Sequence, residues 1–553
     1  MKNYQEEQAL KICKSALNTL KNEGVTASFN EFKKAITTAP ESEKVLRLAT
    51  LAIFDAGEQD LTLELLQFAL TLTGETLTWL TLITDIAKSM KLYDMEIKFL
   101  SRQTNLDPYN PLLYARLIDA MRLAEQGEDA LELSEAALER FPTCAALWNA
   151  HGLIVLNTLG QLERSRTYFK KAVELDPKSA IYRFNYGHAI AFHPAFTEEQ
   201  YRLALALAPK NAEINTALGI LLLDRGAIEE GWQHYAYRAD PSTGSPIFTH
   251  NLKPWLGRNP SGKSLLLAAE QGIGDELLFA IMLPTLIKDA RHVSIGCEPR
   301  LMSLYKRNYP NMTVSTFEDK TICGQRYRSF PAIEEKIAQK KIDTQFAALI
   351  GDTWAYYIKD YDDLNKLKPG YLRCDPDLSN ELKKLDPTLK KSAKRPRIGL
   401  SWRSGNMEQV RKFYYMEIDF VIEIMRQIDA DFYCLQYDCT QEELQRFEAE
   451  PNGTVWRQFD LKQDIEFNFA LLDNLDLVIG PATATHIFAI AAGVPAWLVN
   501  LGRPWFFFGR DDIPPFYPKQ SRFWNLGDLS LQGKSKTKIA LDIATAIQNF
   551  QHS

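Results

Sequence analysis

Ser264-Leu-Leu-Leu-Ala-Ala-Glu-Gln-Gly-Ile-Gly-Asp-Glu-Leu-Leu-Phe279 decides how this chain is read. Its opening run is apolar enough for a buried parallel strand. A Gly272-Ile-Gly274 turn follows, then Asp275, then residues at helical apolar spacing. Strand, glycine turn and helix in that order open a βαβ unit. Such a turn frees backbone N–H groups at a helix start, where anions bind, and here it sets a carboxylate beside them. The same glycines also serve plain packing in many βα turns. Leu277 stands where the third glycine of the dinucleotide fingerprint would be, which argues against a nicotinamide or flavin enzyme.

Downstream, strands are expected at Ser264–Ala269, His292–Cys297 and Met312–Phe317, with helices at Leu277–Ala290 and Pro299–Tyr309 between them. That is a doubly wound α/β domain, assigned to residues 239–395. A polar, lysine-rich stretch, Lys383–Pro396, leads into a second α/β domain at 396–553. It opens with Arg397-Ile-Gly-Leu-Ser-Trp402. A helix at Ile418–Ile428 and strands at Asp431–Gln436 and Leu475–Ile479 follow, then a helix at Ala484–Ala492 and a strand at Ala496–Asn500. Ile539, Ile543, Ile547 and Phe550 share one face of a closing helix. The stretch from Leu475 to Leu501 is apolar, but Asp476, Pro481, His486 and Pro495 argue against a membrane span. Two Rossmann-like domains in tandem with a closing helix point to the GT-B architecture, whose active site is the cleft between domains.

Upstream the pattern is helical and it repeats. Helix-ending segments occur at Pro40, Pro108, Pro142, Pro177 and Pro209, with Thr71-Leu-Thr-Gly74 filling the first gap. The spacing is close to 34 residues, the period of the tetratricopeptide (TPR) repeat. Gly152, Gly187 and Gly219 mark close approach of paired helices. A lone helical hairpin cannot bury its apolar face, so hairpins stack into a solenoid, assigned to residues 1–238. The overall expectation is an α + α/β chain, a TPR solenoid followed by a GT-B fold.

Net charge is −6, so no global basic field invites nucleic acid or anionic membrane. Seven scattered cysteines without a C-x-x-C pair read as reduced thiols in a cytoplasmic protein. The first residues lack an apolar signal region, and no His/Cys cluster has metal-ligand spacing.

Gly231-Trp through Arg238, Pro254-Trp255, Glu270-Gln-Gly-Ile-Gly-Asp275, Ile398-Gly-Leu-Ser-Trp402 and Asp476 through His486 together resemble a group of bacterial TPR-containing glycosyltransferases. Their catalytic half looks like the ADP-heptose:lipopolysaccharide heptosyltransferases. Members with this layout include flagellin glycosyltransferases, whose TPR half binds flagellin while the other half transfers a nonulosonic acid such as pseudaminic acid. The resemblance implies transfer from a nucleotide sugar to a protein hydroxyl. The sugar is a co-substrate, and no cofactor or metal is expected. Asp275 matches the proposed general base of the heptosyltransferases, with Glu276 and Glu270 as alternatives. Its plain role would be a helix N-terminal acid.

Donor contacts are expected from Gly272 and Gly274, from Ser401, Arg403 and Arg411 after a strand of the second domain, and from Gln436 at the end of the next strand. The Pro481-Ala-Thr-Ala-Thr-His486 loop opens a helix, so its N–H groups with Thr483, Thr485 and His486 suit a phosphate. The family often has Asp where Pro481 stands, and His486 is equally readable as a core histidine. Trp505-Phe-Phe-Phe508 reads as core packing more readily than as a base-stacking platform. Two other readings remain open: an enzyme acting on lipopolysaccharide or a lipid-linked saccharide, and a non-catalytic binding protein.

Overall fold

The computed structural model describes residues 2–189, 194–270, 272–390, 395–405, 415–526 and 533–550. Contacts divide the chain into two compact units. The first is Met1–Lys210 with Asp319–Tyr327, and the second is Asn211–Glu318 with Arg328–Ser553.

The first unit is a TPR-like solenoid of helical hairpins. Lys2–Glu23 pairs with Val25–Thr38, Glu43–Asp55 with Gln59–Thr73, and Leu77–Ser89 with Tyr93–Leu106. Pro111–Leu123 and Gly127–Arg140 follow, then Ala145–Leu159 with Leu162–Leu175, and Ala180–His188 with Pro194–Leu207. Each of the proline or glycine segments lies just beyond the second helix of a hairpin. Ser42, Thr76, Asn110 and Ser179 then restart the helix by accepting a backbone N–H two or three residues on. The glycines do what their spacing predicts. A Cβ at Gly152 would meet the Phe169 ring at 2.7 Å, and one at Gly187 would meet Gln200 Cβ at 2.9 Å.

This unit also takes in residues 319–327 from far along the chain, most of a β-hairpin of Glu318–Ile322 and Gln325–Ser329 turned at Cys323-Gly324. Both turn residues have positive φ, 47° and 80°, as a tight two-residue hairpin demands. Cys323 Sγ donates to the Phe54 carbonyl at 3.2 Å, and Gly324 packs against Ser89, where a side chain would have no room.

The second unit holds two parallel sheets. The first runs Lys253–Pro254, Phe346–Leu349, Ser264–Ala268, His292–Cys297, Thr313–Thr316. Leu266 pairs with Ser294 on one side and Ala347 on the other. The second runs Gly453–Thr454, Asp431–Cys434, Arg397–Leu400, Leu477–Gly480, Ala496–Asn500, Arg522–Asn525. In chain order that is 3-2-1-4-5-6, the order of dinucleotide-binding folds. The helix expected over Leu277–Ala290 is two helices, Ile273–Ala280 and Leu283–Asp289, because Pro284 favours a fresh helix start. The closing helix Gly533–Phe550 buries Ile543 and Ile547 with Phe420 and Trp497.

A last helical hairpin, Ala212–Asp224 with Ile228–Tyr235, keeps the repeat pattern yet belongs to this second unit. Leu223, Ile228 and Trp232 lie in one core with Leu265 and Leu267 of the first sheet. Trp232 Nε1 donates to the Ile358 carbonyl at 3.0 Å, and Arg503 pairs with Asp224 at 3.2 Å. The division thus falls at Lys210, one hairpin before the boundary at 238 read from the repeat pattern.

Candidate active site

Open parallel sheets bind ligands outside the carboxyl ends of strands, where the strand order reverses. The first sheet reverses between Ser264–Ala268 and Phe346–Leu349. Two loops emerge there, and a buried ionic network fixes them. Glu270 accepts from Arg238 at 2.9 Å and from the Gly351 N–H at 2.8 Å. Arg238 also pairs with Asp352 at 3.0 Å and lies over the Tyr235 ring at 4.7 Å. Burial works against the Arg238 charge, but Glu270 and Asp352 outweigh it and hold the guanidinium more firmly protonated than usual. Arg328 donates to the carbonyls of Ala269 and Glu270 at 3.1 and 3.2 Å.

Gly272 is extended and caps the Ile273–Ala280 helix, with Asp275 in its first turn. A Cβ at Gly272 would sit 3.3 Å from Asp275 Oδ2, so the glycine leaves room for that carboxylate. Asp275, Glu270 and Arg238 line a half-open cavity of about 170 Å3. Its other wall is the last helical hairpin, through Thr216, Ile220 and Tyr235, with Thr243 beyond it.

Glu276, the neighbouring acid, turns into the core. It is fully buried and accepts the Glu298 N–H at 3.0 Å. Burial raises its carboxyl to about 8, and the Glu298 N–H and Tyr305 hydroxyl offset this only in part. It is therefore protonated at neutral pH. A carboxyl whose folded pKa is raised costs stability as pH climbs from its unfolded value of 4.5 towards 8. Glu276→Gln is expected to remove that loss. Melting temperatures of the two proteins should lie close at pH 5 and separate in favour of the variant by pH 8. Parallel curves over that range would show that Glu276 is not the buried acid described.

The second sheet reverses between Arg397–Leu400 and Leu477–Gly480. The residues that follow these two strands carry three buried polar atoms: Ser401 Oγ, Thr483 Oγ1 and His486 Nδ1. None has a hydrogen-bond partner among the described residues. Thr483 is the cap of the Ala484–Ala492 helix, with no side-chain capping bond of its own. His486 reaches the Tyr517 hydroxyl through Nε2 at 3.2 Å, and burial lowers its pKa to about 3, so the ring is neutral. Thr485 is buried beside it in the chain. The two switch points face one another: a Cβ at Gly274 would lie 3.3 Å from Ala484 Cα.

Two expected donor contacts are otherwise engaged. Arg403 binds Glu443 at 2.6 and 3.1 Å and the Asp438 carbonyl at 2.8 Å. Although burial works the other way, Arg403 and the Trp402 indole hold the Glu443 carboxyl down to about 2. Gln436 accepts from the N–H groups of Trp402 and Arg403 at 2.8 and 2.9 Å and donates to the Tyr437 carbonyl at 2.8 Å. Both residues thus shape the loop that carries Ser401. Arg411 lies outside the described residues. Trp505 packs in the core against Trp232, Tyr235 and Phe279, and Phe506–Phe508 are buried. Thr216 and Tyr235 are not among the residues expected at the site: Thr216 carries no signal beyond the helical repeat, and Tyr235 lies within the stretch from Gly231 to Arg238 without being marked as a contact.

Among the described residues no His/Cys/Asp/Glu group is arranged to hold a metal ion, and no helix is long and apolar enough to cross a membrane. No family model matches the chain. It is similar to Protein FlbA of Caulobacter vibrioides, at 26% identity over 460 residues, covering 78% of this chain and 73% of that protein. Among solved structures, a thermophilic TPR protein of Thermus thermophilus, TTC0263, aligns with 33% of this chain and 100% of its own, at 19% identity and a TM-score of 0.29. Yeast Tom70 aligns with 43% of this chain and 51% of its own, at 17% identity and a TM-score of 0.34.

Proposed function

We propose that this chain is a protein O-glycosyltransferase of GT-B architecture. It moves a sugar from a nucleotide sugar to a hydroxyl of a polypeptide, with flagellin as the leading acceptor. The observation that carries the reading is the facing pair of switch points, one with Asp275 at a cavity and the other with three buried polar atoms that have no hydrogen-bond partner among the described residues. On the second sheet, Ser401, Thr483 and the N–H groups at the start of the Ala484–Ala492 helix hold the nucleotide's phosphates. Fixed dipoles there stabilise charge on the leaving phosphate without having to reorganise. On the first sheet, Asp275 accepts the proton of the acceptor hydroxyl as oxygen attacks the anomeric carbon. The solenoid recruits the polypeptide, as stacked helical hairpins commonly do. The resemblance to TPR-linked flagellin glycosyltransferases supports the choice of acceptor. The likeness to FlbA, longer than either unit, supports treating both as one working protein.

Calorimetric titration of the full chain with CMP, UDP, ADP and GDP tests the donor half. One nucleotide should bind, and Thr483→Val should weaken it about tenfold or more, the scale of a lost hydrogen bond to a charged group. A chain that binds none of the four leaves the transferase reading without a donor.

A further inference from the structure

The cavity beside Asp275 has a wall that the transferase reading does not use. Thr216 and Ile220 lie on the Ala212–Asp224 helix, and Tyr235 ends its partner. These residues continue the helical repeat pattern, yet their hairpin is built into the unit that holds the sheets. At about 170 Å3 the cavity is below the roughly 300–1,000 Å3 of pockets that enclose a whole ligand. It takes part of a molecule, not a nucleotide sugar.

Its charge narrows the choice. Asp275 and Glu270 are both carboxylates, and the Arg238 guanidinium between the walls is already bound by Glu270 and Asp352. A phosphate would meet repulsion from the two acids and no unshared cation. That disfavours a nucleotide and equally a lipid-linked phosphate. A neutral hydroxyl meets no such penalty. Thr216 supplies what it needs: its Oγ1 is buried and has no hydrogen-bond partner among the described residues. An oxygen so placed can donate to or accept from a second hydroxyl or a peptide group. Ile220, 37% exposed, offers an apolar rim for the carbon atoms around that group.

We propose that this cavity is the acceptor subsite, that it takes the hydroxyl side chain of a serine or threonine in an extended polypeptide, and that Thr216 on the last helical hairpin reads it. The proposal rests on the transferase reading. It adds that the helical part shapes the reaction chamber itself as well as recruiting the acceptor. Thr216 sets the acceptor oxygen opposite Asp275. The oxygen–hydrogen bond then breaks toward the Asp275 carboxylate while a carbon–oxygen bond forms at the sugar, and the nucleotide leaves with the electron pair of the broken glycosidic bond.

The test uses the full chain, co-expressed with the flagellin and sugar pathway of its own genome, with flagellin intact mass as readout. Thr216→Phe fills the cavity, and Thr216→Val removes only the hydroxyl. Transfer should fall at least tenfold for the first and about threefold or more for the second. Binding of the nucleotide found by titration should stay within twofold, and the thermal melt should be unchanged. If Thr216→Phe fails to fold, Thr216→Val and Ile220→Ala carry the test. Wild-type transfer by folded variants overturns the subsite and leaves the transferase reading standing. Lost nucleotide binding in a folded variant also overturns it, since the cavity would then serve the donor. If wild type binds a nucleotide but leaves flagellin unmodified, the acceptor side fails and the donor side stands. If wild type neither binds a nucleotide nor modifies flagellin, the transferase reading fails and takes the subsite with it.

Discussion

Asp275→Asn is expected to leave the chain folded and able to bind nucleotide while lowering sugar transfer about a hundredfold or more, the scale of losing a general base. The substitution keeps nearly the same shape, and Asp275 lines a cavity instead of filling a core, so packing should survive. The two other acids of the loop are poorer candidates. Glu276 is turned inward and protonated at neutral pH. Glu270 Oε1 is already taken up in accepting from Arg238 and from the Gly351 N–H. A thermal melt confirms folding, and the intact mass of flagellin over time counts sugars added. If the variant modifies flagellin near the wild-type rate, Asp275 is a helix N-terminal acid and no more.

Trp232→Ala is expected to cost about 3–5 kcal/mol, the range for removing a large buried aromatic side chain. Trp232 is 5% exposed and sits edge-on to Trp354 and Trp505, with ring centroids 6.4 and 6.0 Å away. Its removal also strips the Ile358 carbonyl of a donor. Denaturant melts of the two proteins decide the matter. A loss below about 1 kcal/mol, the usual size of a surface effect, would show that the last helical hairpin is peripheral to the second unit. The same contacts predict the outcome of truncation. A chain starting after residue 238 lacks Leu223, Ile228, Trp232 and Arg238, and should not fold.

Much of this architecture is legible where one physical signal dominates. The prolines and glycines between hairpins set the repeat, and apolar runs of four to six residues mark the buried strands of both sheets. The strands that escape reading lack that signal. Lys253–Pro254 is exposed, Arg522–Asn525 is exposed at both ends, and Glu318–Ile322 is polar because it belongs to the solenoid and not to a buried sheet. Phe346–Leu349 is apolar, but two of its four residues are alanine and none is β-branched, so it lacks the composition strands favour. At the site, the Gly272–Asp275 turn announces itself. Glu443, which forms a capping box with Thr440, also binds Arg403, and nothing local in the sequence joins residues 403 and 443. Arg238 is readable only as the end of a helical motif, because its partners Glu270 and Asp352 lie 32 and 114 residues away.

The hairpin at Asp319–Tyr327 has a consequence for the order in which the protein is made. The solenoid's own helices are complete when Lys210 leaves the ribosome, but the strands that pack on Phe54 and Ser89 arrive only with residues 319–327. At roughly 5–20 residues per second, the nascent solenoid waits on the order of ten seconds with that face bare. Strands of the first sheet, from Ser264 to Thr316, emerge during the same interval. The first unit therefore receives its last element only after strands of the second have been made.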